Sequence, residues 1–297
     1  MQRFTILACL LLLCGCVNDD KILEEKTIAN LTSGTNEINV NQIIDGVLVP
    51  RTVYVQTPQN FNASQTYPLV FVFHGSGGTG SQFLNQSTLN ELINSGAFIG
   101  VYPNGHSNDG SKGGYWNLGS EATSADDVEF VNLIVQQLEG HTEANTSKMY
   151  ALGFSNGAGM VNVLGKSTPH FKAIAPLFSQ QSISTGNLAP LSTLSVFQVN
   201  GAIDNLIPIQ GGTSPVGEFM SAQNSALNWA NSYNCGQTAV QANHNWGGIS
   251  LESFSYSNCD TNAEVVYFIA ANVGHGWANQ QTDSIAFEEI WSFFESK

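Results

Sequence analysis

The sequence predicts an α/β fold: one domain with a mostly parallel central sheet and helices on both faces. Three observations carry this. Short, continuously apolar runs recur along the chain, as in strands buried on both faces. Segments of helical periodicity separate them, which implies parallel strands joined by crossover helices. With 297 residues, 42% hydrophobic and 11% charged, the chain can bury one sizeable core and lacks the composition of a disordered polymer. It carries no internal repeat, coiled coil or second domain.

The first residues read as a targeting segment. Met1-Gln2-Arg3 is weakly positive, and residues 4–13 form an apolar run too short to span a bilayer. The run ends in Leu13-Cys14-Gly15-Cys16, which resembles the lipobox of bacterial lipoproteins. That resemblance implies a signal peptide over 1–15, cleavage before Cys16, and diacylation of the Cys16 thiol. Two acyl chains suffice for stable anchoring, so the expected location is a bacterial cell envelope. The alternative is an ordinary signal peptide and release. Residues 16–39 are polar and without sustained period, a tether; the catalytic domain is expected over 40–297.

Beyond the tether, 47–56 alternates apolar and polar residues and predicts antiparallel edge strands. Residues 68–73 are continuously apolar and predict a buried strand, 82–95 a helix, and 97–102 a second buried strand. Ser124-Ala125-Asp126-Asp127 fits a capping box that opens a helix running to Leu138. A short strand at 149–152 leads into Gly153. Further strands are expected at 172–177, 194–199 and 263–270, with helices at 218–233 and 285–294.

Of the five cysteines, Cys9 and Cys14 leave with the leader and Cys16 takes lipid, so Cys235 and Cys259 remain as an even pair. In an oxidising compartment this predicts a disulfide, worth roughly 3 kcal/mol by the loop-entropy argument. Loss of Arg3 leaves eight Lys and Arg against 23 Asp and Glu, a mature charge of 8 − 23 = −15. Such a surface repels phosphate backbones, which argues against nucleic acid as a partner. A monomer is expected.

Gly153-Phe154-Ser155-Asn156-Gly157 matches the G-x-S-x-G nucleophile elbow, where a strand meets a helix in a strained turn and exposes the Ser hydroxyl. The pattern places this chain with the α/β-hydrolase architecture. A serine nucleophile needs a base, and the base an orienting acid, in the chain order Ser, Asp or Glu, His. The histidines after Ser155 are His170, His244 and His275. His170 follows Pro169 before a strand, and His244 lies in a polar, Asn-rich stretch read as a loop. His275 follows a strand in a Gly-flanked loop, where the active edge of the sheet should be. Among the acids, Asp283 opens the last helix and Asp260 adjoins Cys259. Asp204 follows the strand at 194–199 and is the preferred acid, with Glu218 as fallback.

Tetrahedral intermediates need donors aimed at the developing oxyanion. One is expected from the N–H of Asn156, the other from the loop His74-Gly75-Ser76-Gly77-Gly78, assigned to Ser76 with Gly75 as fallback. His74 is read as a brace for that loop. Gly75-x-Gly77-x-x-Gly80 also fits a dinucleotide-binding fingerprint, but that site needs a carboxylate ending the next strand, and Tyr102-Pro103-Asn104 has none. No metal motif occurs, and neither metal nor cofactor is expected.

These segments together resemble the secreted polyhydroxybutyrate depolymerase and feruloyl esterase family, carbohydrate esterase family 1. The resemblance rests on Val72-Phe73-His74-Gly75, Tyr102-Pro103-Asn104-Gly105, Trp116-Asn117, Asp126-Asp127-Val128-x-Phe130, the elbow, Asn200-Gly201-x-x-Asp204-x-x-x-Pro208 and Gly274-His275-x-Trp277. It implies hydrolysis of hydroxyalkanoate esters, or of feruloyl or acetyl groups on polysaccharides. Polymer-degrading members usually add a substrate-adsorbing module, so soluble or oligomeric esters are the expected substrates here. Tyr115, Trp116 and Trp277 are candidates to wall an aryl or sugar pocket, Trp277 foremost because it stands two residues from the base; core filling is the alternative for Trp116 and the preferred reading for Tyr115. Two rival functions share these features: a serine peptidase with the same triad, and a glycan-binding lipoprotein without turnover.

Overall fold

The computed structural model describes residues 30–297 apart from Lys112, Gln237 and Ala278. The leader, Cys16 and residues 16–29 of the expected tether therefore lie outside the described residues. The chain begins with a hairpin of β1 (Gly34–Ile44) and β2 (Val47–Thr57), turning at Asp45-Gly46, both with positive φ. Residues 34–39, expected as tether, are thus the start of β1. On a ribbon with one face in water, polar residues at every second position disguise a strand as linker.

Then follow β3 (Tyr67–Phe73), α1 (Ser87–Asn94), β4 (Ile99–Pro103), α2 (Asp127–Leu138), β5 (Ala144–Phe154), α3 (Asn156–Ser167) and β6 (Phe171–Leu177). The second half holds α4 (Ile183–Gly186), β7 (Ser195–Gly201), β8 (Gly212–Ser214), β9 (Gly217–Phe219) and α5 (Ala222–Ser232). It ends with β10 (Val240–Trp246), β11 (Ile249–Tyr256), β12 (Val265–Ala270) and α6 (Gln280–Glu295). Ten strands form one sheet in the order β1-β2-β4-β3-β5-β6-β7-β12-β11-β10. Its centre, β4 to β12, is parallel, and the β1-β2 and β10-β11 hairpins add antiparallel flanks. This is an α/β-hydrolase fold.

Alternation along β3 sends Leu69, Phe71 and Phe73 to one apolar layer and Val70 and Val72 to the other. Helices α2, α3 and α5 cover the first face through Phe130, Leu164 and Trp229; α1 and α6 cover the second through Leu89, Ile93, Phe287 and Phe294. Burial on both faces explains why the parallel strands read as unbroken apolar runs.

Three further expectations are corrected. Helix α2 is capped by Asp126, whose carboxylate accepts from the Glu129 N–H at 2.9 Å, so the capping box at Ser124 is not used. The helix expected from 218 begins only at Ala222, capped by Ser221; Glu218 stands on β9 of a small hairpin. His244 lies on strand β10, not in a loop, its Nε2 2.8 Å from Ser253 Oγ. The Cys235–Cys259 disulfide is formed and ties the end of α5 to the segment entering β12. No helix among the described residues is long and apolar enough to cross a membrane.

Candidate active site

Strand β5 ends at the middle of the sheet and turns into α3 at Ser155. The turn is tight: Ser155 has φ 55° and ψ −118°, a strained conformation for a residue with a side chain. Two bonds hold it, Ser155 N–H to Leu177 O and Gly159 N–H to Ser155 O, each 3.0 Å. Both flanking glycines are sterically required. A Cβ on Gly153 would lie 2.3 Å from Gly157 O, and one on Gly157 would lie 2.3 Å from Phe73 O.

The loops after β7 and β12 bring two groups to this turn. They are laced together by Ala202 N–H to Ala270 O at 2.9 Å and Ile203 N–H to Val273 O at 3.0 Å. A Cβ on Gly201 would fall 2.1 Å from Gly274 O, so the loops cross with no room to spare. His275 Nε2 then lies 2.7 Å from Ser155 Oγ, and His275 Nδ1 lies 2.7 Å from Asp204 Oδ2. The other carboxylate oxygen of Asp204 accepts from the N–H groups of Leu206 (2.8 Å) and Ile207 (2.9 Å). Because that carboxylate is a pure acceptor, Nδ1 carries the imidazole proton and Nε2 is free to take one from Ser155.

The other candidate acids lie elsewhere. Asp260 is bonded to Asn234 Nδ2, and Glu218 is exposed beside the Thr213 hydroxyl. Asp283 meets Gln86 on the far face of the sheet, where burial pushes its carboxyl above the usual range.

The loop of Gly75 and Ser76 borders the same cavity as Ser155 and Asn156. The N–H of Asn156 opens α3 and has no acceptor within the helix, and among the described residues Ser76 N–H meets no protein acceptor. The loop is pinned from below. Gly77 N–H donates to Gly114 O, and Gly114 N–H to Gly78 O, each 2.9 Å. Fully buried His74 contacts Gly75 O through Nδ1 (2.8 Å) and accepts from Gly105 N–H through Nε2 (2.9 Å). Burial lowers its pKa to about 4, so the ring is neutral near pH 7.

Trp116, considered for a substrate wall, is fully buried, and its indole N–H donates to His74 O at 2.8 Å. Its backbone exchanges two hydrogen bonds with the Asn156 side chain, at 2.7 and 3.0 Å. It is a brace and does not reach the cavity. Beneath it, Arg51 pairs with Asp127 at 2.7 Å and stacks on Phe130. Burial disfavours both charges, and their mutual attraction opposes it.

The cavity beside Ser155 holds about 630 Å³. Tyr115 lines it, with an apolar wall from Leu118, Leu206, Ile207, Val216 and Phe219. Trp277 is not among its lining residues; its ring packs on Phe178 (4.7 Å between centroids) and Trp246 (5.8 Å). Glu121 also lines the cavity and went unmarked in the sequence, since a carboxylate in a Gly/Ser-rich loop carries no periodic signal. Its Oε1 accepts from Asn156 Nδ2 at 3.1 Å and its Oε2 from Leu118 N–H at 2.8 Å.

No family model matches the chain. Among curated proteins it is 28% identical over 235 residues to feruloyl esterase B of Piromyces equi, covering 76% of this chain and 42% of that relative. It is 26% identical over 273 residues to feruloyl esterase C of Emericella nidulans, covering 89% and 87%. Among solved structures, an acetyl xylan esterase from Aspergillus awamori superposes with a TM-score of 0.60 at 16% identity, over 88% of this chain and all of that one.

Proposed function

We infer that this feruloyl esterase-like α/β-hydrolase is a carboxylic ester hydrolase working through an acyl-enzyme on Ser155. The observation that carries the reading is the chain of two 2.7 Å contacts from Ser155 Oγ through His275 to Asp204. Ser155 Oγ attacks the ester carbonyl while His275 Nε2 takes its proton. The N–H groups of Asn156 and Ser76 hold the oxyanion, with Gly75 as the alternative donor. His275 then protonates the leaving alcohol, activates a water, and the acid is released; Asp204 stabilises the imidazolium throughout.

For substrate we propose feruloyl or acetyl esters of polysaccharides, with short hydroxyalkanoate esters as the alternative. The apolar wall of Leu206, Ile207, Val216 and Phe219 suits an acyl group with a large apolar face. The names of the two fungal relatives point the same way. We also propose that the leader and Cys16 deliver the chain to a cell envelope as a lipid-anchored monomer; Cys16→Ser should release it from membranes.

Ser155→Ala should abolish turnover of a p-nitrophenyl ester without changing thermal unfolding. Residual activity above about a thousandth of wild type would remove Ser155 as nucleophile. Methyl ferulate, acetylated xylan and 3-hydroxybutyrate oligomers compared under one condition assign the acyl group.

A further inference from the structure

A buried ion pair lies beneath the oxyanion side of the site and takes no part in the acyl-enzyme chemistry. Arg51 on β2 and Asp127 at the start of α2 meet at 2.7 Å, their side chains 2% and 1% exposed. Taking two charges out of water costs about as much as such a pair returns, and a packed apolar pair of similar volume would serve stability equally well. Arg51 Nε is moreover buried without an acceptor among the described residues. Stability alone does not account for the pair.

Its other contacts go to the two ends of the excursion after β4. Arg51 Nη2 donates to Asn104 O at 3.0 Å, and Asp127 Oδ2 accepts from Asn117 N–H at 2.7 Å. Arg51 Nη1 also donates to Gln42 Oε1 at 2.9 Å, and Gln42 Nε2 donates to Asp126 O, which keeps the guanidinium in register with the start of α2. Between Asn104 and Asn117 lie the groups that support both expected oxyanion donors. Gly105 N–H bonds His74, Gly114 bonds Gly77 and Gly78, the Trp116 indole bonds His74 O, and the Trp116 backbone bonds Asn156.

This segment has no slack. A Cβ on Gly113 would lie 1.9 Å from Gly77 O, and one on Gly114 would lie 2.2 Å from Gly105 C. Surfaces packed so closely pass a shift at the base of the excursion on to Ser76 and Asn156, because neither can yield. Charge contributes too. Burial is the main cause that keeps His74 neutral; the bond to Gly75 O opposes it, and the positive charge of Arg51 reinforces it. A neutral ring accepts from Gly105 N–H through Nε2 while its Nδ1–H donates to Gly75 O.

We propose that Arg51 and Asp127 are positioning residues for ester hydrolysis: by fixing Asn104 and Asn117 they set the N–H groups of Ser76 and Asn156. The proposal rests on those two N–H groups holding the oxyanion.

The test is the double variant Arg51→Met/Asp127→Leu, which removes both charges together and keeps the space filled. Its Tm should stay within about 5 °C of wild type. Its kcat on a p-nitrophenyl ester should fall by about a hundredfold, the cost of misplacing a catalytic group by about 1 Å. KM should change by less than about twofold, and the acid limb of the pH–rate profile should keep its midpoint, since no contact within the triad is touched. A merely structural pair predicts kcat intact wherever Tm is. A folded double variant with kcat within about threefold of wild type overturns the proposal, and so does a loss accompanied by a moved midpoint. Should the double variant not fold, Asp127→Asn keeps an acceptor for Asn117 N–H and loses only the charge. A kcat lower by about fivefold or more at unchanged KM then supports the proposal, and a smaller loss overturns it.

An alkylboronic acid, whose tetrahedral adduct on Ser155 places an oxygen where the oxyanion would sit, separates this from the underlying reading. Binding by wild type that weakens about tenfold or more in the double variant supports the proposal. Equal binding by both overturns the proposal alone. No binding by wild type overturns the oxyanion reading and the proposal with it.

Discussion

Ser155 holds φ 55° in a turn so close that neither Gly153 nor Gly157 has room for a Cβ. Gly157→Ala should therefore destabilise by about 1–3 kcal/mol, measured by denaturant unfolding, since its Cβ meets Phe73 O at 2.3 Å and the strand cannot retreat. An unchanged midpoint would show that the turn relaxes. Asp204→Asn tests the acid. An amide oxygen can still accept from Leu206 and Ile207, but its NH₂ then faces His275 Nδ1 and selects the wrong tautomer. A loss of about 10³–10⁴ in kcat on a p-nitrophenyl ester is expected with little change in stability. A loss below about tenfold would reassign the acid.

At this scale the sequence was legible where few candidates existed. Three histidines follow Ser155, and only His275 sits in a loop after a strand of the parallel core. The aromatic residues were not legible, because a tryptophan near the site reads alike whether it walls a cavity or fills the core. Burial decided that Trp116 braces Asn156 and His74.

At the level of elements, the parallel strands stood out as apolar runs, and the flanking hairpins did not. The β10-β11 pair is mostly polar, with one face in water; its best local sign was Gly247-Gly248 between two alternating stretches. The start of α2 shows the same limit. Ser124 and Asp126 both sit where a cap can form, and Ser124 is instead bonded to Asp45 and Asn108. Asp126→Ala should cost about 1 kcal/mol in a denaturant series with an unchanged slope. No loss would mean that the helix is held by packing alone.

Over the whole molecule, two devices link stability to conditions. Reducing the Cys235–Cys259 bond frees a 24-residue separation and should lower unfolding stability by roughly 3 kcal/mol, read as a shift in midpoint with and without reductant. The second is buried His74. Its pKa falls from 6.5 in the unfolded chain to about 4 in the folded one, so between those values the unfolded chain binds the extra proton. Its contribution is whole above pH 6.5 and is lost as pH falls toward about 4, on the order of 3 kcal/mol. Wild type should steepen its loss of stability over that window relative to His74→Asn. Parallel curves would show that another group carries the acid sensitivity.

The sequence by itself determined the α/β class, the elbow at Ser155, the chain order leading to Asp204 and His275, and the disulfide pair. Each is set by local pattern or by a short list of candidates: apolar runs, small residues around a strained turn, two remaining cysteines. Only the tertiary structure decided what the loops do together. The loop of Gly75 and Ser76 is held by Gly114, Gly105 and Trp116, which come from a separate excursion after β4. The cleft is shaped by Glu121 from that excursion and by Leu206, Val216 and Phe219 from the excursion after β7. Contacts between segments far apart in the chain leave no period in either one, so the substrate side of the site becomes visible only once both excursions meet over Ser155.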